Sequence, residues 1–532
     1  MTQKQNSTLP AIIVCILLFG MISFVTNLAS PMGDVLKYSL GRQGVEIPNL
    51  MATLGVFCNF IAYAVMGIPG GNLLSKHGYK KTALLAVLIG FTGVGIQAIA
   101  GLLGGLTSFG VYLLGAFVAG FSMCLLNLVV NPMLNKLGGG GNRGNQLVQV
   151  GGSFNSLMGT AVIFLSGFFV PNVLSAEIKQ VFPLMGIALA IFAVSFVVIL
   201  LTKIPENPNV GKKAVGEKSQ YGPMSFRHFV FGAVAIFIYV GVEVGVPNVL
   251  QKWLNYDLSK IEEVTLPEGG VVKTINVVAG SEVKNGDELA TIAVKEVVDG
   301  QEVETVKPLI LNLPGLKKDQ KVVVSAIGNT EKKNCEMKEV SKTKVGSEIK
   351  PGGVVLEVDT ASASPIASSV TAMYWLLMLV GRLLGAALGA KISAKSMLTA
   401  VSTLGLVLVV GAIFLNPVMV NLPVFKGAAG FGMALVPVNA LLLVLCGLCT
   451  SVMWGGIFNL AVEGLGKYTE RGAGIFMAMV CGGGILPLLQ NGVVDWAGSF
   501  QVSYWVIVAG LAFLLYYALV GSKNVNKNIP TE

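Results

Sequence analysis

Twelve apolar runs divide this chain, and their lengths constrain its fold more than any motif does. A helix needs about 20 mostly apolar residues to cross a bilayer. Runs of that order fall at 10–32, 47–73, 81–103, 107–134, 146–171, 179–201, 228–250, 368–392, 396–418, 432–463, 471–492 and 499–521. Charged residues make up only 12% of the 532 positions, about half the share in a soluble globular chain. An ordinary soluble enzyme is excluded. The first run has no strongly basic lead-in and no A-x-A site, so it reads as a spanning helix rather than a cleaved signal peptide.

Loop charge orients the spans. Seventeen Lys and Arg lie on one side, among them Lys4, Lys76, Lys80, Lys81, Lys136, Lys213 and Lys523. Outside 257–367 the other side holds five: Lys37, Arg42, Lys179, Lys252 and Lys426. The positive-inside rule puts both termini and the 202–227 loop in the cytoplasm of a plasma (bacterial inner) membrane. The net charge of +9 therefore reads as lysines beside a bilayer, not as a nucleic-acid surface. A charged loop after the sixth of twelve spans gives two six-helix halves, the layout of a rocker-switch carrier with a midplane site between them.

One segment breaks the apolar text. Residues 257–367 hold fourteen Lys and most of the 28 acidic residues, in short β-type runs punctuated by Gly and Pro. Val278-Ala279-Gly280-Ser281-Glu282-Val283 is repeated as Lys344-Val345-Gly346-Ser347-Glu348-Ile349. The expected organisation is 1–201, first half; 202–227, cytoplasmic linker; 228–256, seventh helix; 257–367, inserted all-β domain facing outward; and 368–532, the last five helices. The fold class is an all-α membrane protein of twelve transmembrane helices carrying a small β domain. Gly269 to Ile292 resembles half of a biotinyl/lipoyl-type domain. Its nearest candidate for a cofactor lysine, Lys295, stands one place short of the usual spacing and lacks the usual flanks, so no cofactor is expected. The module reads as a shield, a restraint or a dock for an extracytoplasmic protein partner.

Several chemistries find no support. Six of the seven Cys lie inside apolar runs, and only Cys335 lies in the insert, which cannot close an internal disulfide. No Cys/His cluster has metal spacing. Gly138-Gly139-Gly140-Gly141 is followed by no Gly-Lys-Ser/Thr, so it is not a phosphate loop for ATP-driven pumping.

Further segments carry a family resemblance. Gly71-Asn72-Leu73-Leu74-Ser75-Lys76-His77-Gly78-Tyr79-Lys80-Lys81 looks like the loop signature of the major facilitator superfamily. Asn131-Pro132, Phe154-Asn155-Ser156-Leu157, Tyr239-Val240-Gly241-Val242-Glu243, Tyr374-Trp375, Gly381-Arg382 and Gly482-Gly483-Gly484-Ile485-Leu486-Pro487-Leu488-Leu489-Gln490 follow in order through both halves. Together they resemble its fucose–proton symporter and glucose/galactose transporter group, over nearly all of the chain except the insert. The resemblance implies the major facilitator fold and import of a hexose or related monosaccharide. Departures concern the ion. Asn127 stands where the fucose symporter has an acidic residue in its fourth helix. An acidic match in the first helix requires a shift to Asp34, and Asn459 and Glu463 replace a Ser and a Lys.

Polar groups at membrane depth line cavities or pair with one another. A sugar needs amide and carboxylate partners for its hydroxyls and an aromatic face. The candidate substrate residues are Asn127, Asn131, Asn155, Tyr239, Glu243, Trp454, Asn459 and Gln490. Glu243 and Asp34 are the candidates for ion coupling. Each has a plainer reading. The Asn residues can tie helices together, Glu243 can pair with Arg382 as a structural or gating charge, and Asp34 and Asp495 can be solvated at outer helix ends. Trp375 and Tyr374 can belong to an interfacial belt. The partners implied are a small sugar, a proton or a sodium ion, and the lipid bilayer. The favoured reading is proton-coupled sugar import; sodium symport, a non-transporting sugar sensor and a drug exporter of the same fold remain as alternatives.

Overall fold

The computed structural model describes residues 9–529 except 44, 46, 140, 174–175, 207–220, 299–300, 317–319, 362, 389–391 and 527. Most of the expected 202–227 linker, including Lys212, Lys213 and Lys218, lies outside the described residues. Among the described residues, six long helices precede the inserted strands: α1 (Leu9–Gly41), α2 (Leu54–Ala100), α3 (Gly105–Leu137), α4 (Gly141–Phe169), α5 (Phe182–Leu201) and α6 (Arg227–Leu258). After them come α7 (Ala363–Leu388), α8 (Ala394–Phe414), α9 (Val438–Thr450), α10 (Met453–Val462), α11 (Thr469–Met479), α12 (Gly482–Ala497) and α13 (Trp505–Tyr516). Among the described residues, eleven helical segments are long and apolar enough to cross a membrane, with α9–α10 and α11–α12 counting as one each.

The 47-residue α2 is two helices joined at Gly78, whose φ of 79° and ψ of 178° are not helical. Only glycine adopts this backbone readily. The helix that restarts there is capped from a distance: the Glu206 carboxylate accepts from Tyr79 N at 2.7 Å and Lys80 N at 2.9 Å. A carboxylate at a helix N-terminus satisfies free N–H groups and opposes the positive end of the dipole. Lys80 Nζ in turn donates to Leu200 O and Thr202 O at the C-terminal end of α5. The loop motif thus locks the start of one helix to the end of another.

The helices share one continuous apolar core. α4 packs along α1 and α7, and α12 packs along α6 and α2. These contacts join the part of the chain before the insert to the part after it.

Among its described residues the insert holds ten strands: β1 (Ile261–Leu266), β2 (Gly270–Ile275), β3 (Glu282–Val283), β4 (Glu288–Val298), β5 (Gln301–Ile310), β6 (Val322–Ala326), β7 (Gly328–Lys333), β8 (Glu336–Lys342), β9 (Glu348–Ile349) and β10 (Gly353–Asp359). They form two four-stranded sheets, in the orders β1-β10-β6-β3 and β5-β4-β2-β9, and a separate β7–β8 hairpin. The sequence repeat has a structural meaning. Its two copies supply the short strands β3 and β9, one at an end of each sheet. In each copy a serine closes the turn: Ser281 Oγ accepts from Val278 N and Ser347 Oγ from Lys344 N. The glycines before them, Gly280 and Gly346, take φ of 97° and 89°. Lys295 stands inside the β4–β5 ladder opposite Glu304, not at a hairpin tip.

Several expected helix ends shift, the first span running on to Gly41 instead of 32 and the seventh expected span to Leu258 instead of 250, and one expected start falls in the wrong kind of element. The run at 432–463 begins as a strand, because β11 (Met419–Phe425) and β12 (Phe431–Pro437) form a hairpin ahead of α9. The exposed Phe431, Met433 and Leu435 of β12 alternate with less exposed neighbours. That period of two belongs to a strand, but its high apolar content reads as the start of a span.

Candidate functional site

Polar side chains from both parts of the helical body converge on a cavity of about 580 Å³, inside the range of roughly 300–1,000 Å³ usual for small-molecule sites. Seven of the eight expected substrate residues line it: Asn127 and Asn131 on α3, Asn155 on α4, Tyr239 and Glu243 on α6, and Trp454 and Asn459 on α10. Helical spacing explains the pairs. Residues four apart share one face, which brings Asn127 beside Asn131 and Tyr239 beside Glu243.

Three of the amides, on Asn127, Asn131 and Asn155, are already engaged. Asn127 Nδ2 donates to Tyr63 Oη at 2.9 Å, and Asn131 Nδ2 to Asn127 O at 3.0 Å. Asn155 Nδ2 donates to Phe19 O at 2.9 Å, tying α4 to α1. The helix-tying role and a cavity position therefore coincide. An amide that gives its N–H to a neighbour still has its carbonyl oxygen as an acceptor.

Glu243 and Arg382 form an ion pair at 3.4 Å, with side chains 13% and 11% exposed. Both line the cavity. Arg382 also donates to Gly152 O on α4, so the pair reaches across the two parts of the body. Tyr239 stacks obliquely on Trp454 with centroids 6.2 Å apart, leaving an aromatic wall near the carboxylate.

Two expected site residues lie elsewhere. Gln490 is fully buried and does not line the cavity; its Nε2 reaches Ser503 Oγ at 3.5 Å. The helical period fixes which residues share a face but not which neighbour that face meets. Asp34 is not solvated at a helix end. It is 4% exposed and pairs with Lys252 at 3.4 Å. Asp495 is likewise engaged, accepting from Asn49 Nδ2 at 2.9 Å and Leu50 N at 2.8 Å. Trp375 and Tyr374 are buried, so the belt reading fails for them. Trp375 lines the cavity, together with Thr26, Asn27 and Tyr63, which sequence reasoning missed. Trp375 and Tyr63 sit in apolar runs where an aromatic carries no distinguishing signal.

The cavity has one closed end. Along α1 the lining stops near Asn27 and is followed by Ser30, Asp34 and Lys37; along α6 it stops near Val244 and is followed by Asn248 and Lys252. These groups bond to one another: Asn248 Nδ2 donates to Ser30 Oγ at 2.7 Å, and Lys252 pairs with Asp34 at 3.4 Å. At the other end the lining runs out to the exposed Pro132 and Lys136. Among the described residues, no group of three or more His, Cys, Asp or Glu is assembled to hold a metal ion.

The family model described as Major Facilitator Superfamily matches residues 11–275. A glucose/galactose transporter of Brucella abortus is 24% identical over 534 residues, covering 98% of this chain and 97% of its own. A putative glucose/galactose transporter of Helicobacter pylori is 31% identical over 269 residues, 48% of this chain and 63% of its own. A crystal structure of the Escherichia coli fucose:proton symporter has the same fold, with a TM-score of 0.57 at 16% identity over 97% of this chain and 100% of that one.

Proposed function

We propose that this chain, which belongs to the fucose–proton symporter and glucose/galactose transporter family of the major facilitator superfamily, is a secondary active carrier that imports a monosaccharide by alternating access. The observation that carries the reading is the cavity itself. Amides on α3, α4 and α10, one carboxylate and a Tyr–Trp wall surround a space sized for a small ligand. Hydroxyl-rich ligands need such donors and acceptors, whereas an exporter of apolar drugs would favour an aromatic cavity with few amides. The names of the relatives point to the same substrate class.

The membrane arrangement follows. At 1.5 Å per residue, α2 is roughly 70 Å long, enough for two crossings, so the eleven apolar segments supply twelve spans. The seventeen-to-five bias of loop Lys and Arg supports cytoplasmic termini and an outward-facing insert. In that orientation the cavity opens to the cytoplasm and is shut beneath the insert. Coupling rests with Glu243, the one acidic residue among the described residues that line the cavity. The pair with Arg382 opposes any cation at Glu243; we favour a proton because it needs only the carboxylate itself, whereas sodium would need several further oxygen ligands beside the guanidinium.

Calorimetric titration of the purified protein with a panel of monosaccharides tests the site. Asn155→Ala removes about 1 kcal/mol of hydrogen bonding and weakens the bound sugar roughly fivefold, with the protein still folded. Unchanged affinity would remove Asn155 from the site.

A further inference from the structure

The insert does not merely stand on the helical body. Its β7–β8 hairpin leaves both sheets and inserts its tip into the polar layer that closes the cavity. The tip residues Asn334 and Cys335 have φ of 52° and 61°, a tight turn of the primed type that two non-glycine residues rarely adopt. Cys335 and Met337 pack into the core of the helical body rather than into either core of the insert. Lys332 Nζ donates to Tyr256 O at 2.6 Å and Ser259 O at 2.7 Å, fixing the hairpin to the C-terminal end of α6.

Glu336 then reaches into the layer. It pairs with Lys37 at 2.9 Å, and the Lys37 side chain is only 7% exposed. Lys37 Nζ also donates to Asn49 Oδ1 at 2.8 Å, and Asn49 Nδ2 donates to Asp495 Oδ1. Lys37 and Asn49 precede the insert in the chain; Asp495 follows it. A chain of charge-assisted bonds therefore runs from the tip through α1 to α12, across the line along which the two parts of the body must separate to open this end.

We propose that the hairpin tip at 332–337 is a clamp on the outer gate, with Glu336 holding Lys37 in the closed arrangement and the tip withdrawing when that end opens. This gives the inserted domain a function: it sets how readily the carrier turns outward. The proposal rests on the alternating-access reading, but not on the identity of the substrate.

Cys335 reports the state of the tip. It is 7% exposed, and burial pushes its thiol up to about 11, so it reacts slowly while the tip is docked. The test is the labelling rate of Cys335 by a maleimide in purified full-length protein in nanodiscs, where reagent meets both faces. Reversing the charge, Glu336→Lys, should speed labelling about tenfold or more, as expected for loss of a charged hydrogen bond. The swap Lys37→Glu with Glu336→Lys should return the rate towards that of the natural protein. A second reporter, Ser30→Cys in a Cys335→Ser background, lies in the closing layer and should also label faster with Glu336→Lys. An unchanged Cys335 rate in Glu336→Lys, or no recovery in the swap, would overturn the clamp. So would a faster Cys335 with an unchanged Ser30→Cys, since the tip would then be docked without holding the gate. Failure of sugar exchange in a transport assay would leave these rates unaffected, which separates the two claims.

Discussion

Glu243 is the residue on which the coupling account turns. It lines the cavity, pairs with Arg382 and lies one helical turn from Tyr239. Asn127, which lines the same cavity, cannot titrate. Glu243→Gln should abolish uphill accumulation of sugar driven by a proton gradient, while counterflow, which needs no net proton movement, should survive in part. Both activities would be measured in the same proteoliposomes. If both fall together, Glu243 serves the sugar or the structural pair; if accumulation follows sodium and ignores pH, the proton assignment is wrong. Much of the cavity lining was legible at this scale because an amide or a carboxylate in an apolar run is conspicuous. Seven of the residues singled out from the sequence meet in one cavity. Gln490 carried the same signal and lies against Ser503 instead, because spacing along one helix says nothing of what the neighbouring helix presents. Asp34 looked solvated from its place near a run's end, whereas burial beside Lys252 depends on contact between distant elements.

Elements were legible where one period dominates. The repeated Gly-Ser-Glu turns of the insert announce their strands, and each copy does form an equivalent turn. The β11–β12 hairpin escaped because its apolar composition continues that of the following helix. The loop motif at 71–81 was recognised, but Glu206, which caps the helix restarting after Gly78, carried no local signal and lies 127 residues from its partner Tyr79. This cap makes a specific prediction. A Cβ at position 78 would meet the Glu206 carboxylate, and the backbone there costs a non-glycine residue on the order of 1–3 kcal/mol. Gly78→Ala should therefore lower the thermal midpoint of the purified protein by about 1–3 °C. A midpoint unchanged from that of the natural protein would mean that the junction between the two helices of α2 is not constrained as described.

The whole molecule reads as a membrane body with a soluble insertion, and both parts were visible in the distribution of charge. What the sequence could not convey is the arrangement between them: which end of the cavity is shut, and that Glu336 and Lys37, 299 positions apart, meet there. Those facts arise from tertiary contact, not from any local pattern. The central claim is that this body carries a sugar across the membrane instead of only binding it. Counterflow tests this most directly. Purified protein is reconstituted into liposomes preloaded with each of a panel of monosaccharides, and uptake of the labelled sugar at trace concentration is followed. The account predicts transient accumulation of label for at least one hexose or related monosaccharide, lost when the unlabelled sugar inside is omitted. A sugar that binds the purified protein but shows no such exchange would identify a sensor and contradict the account.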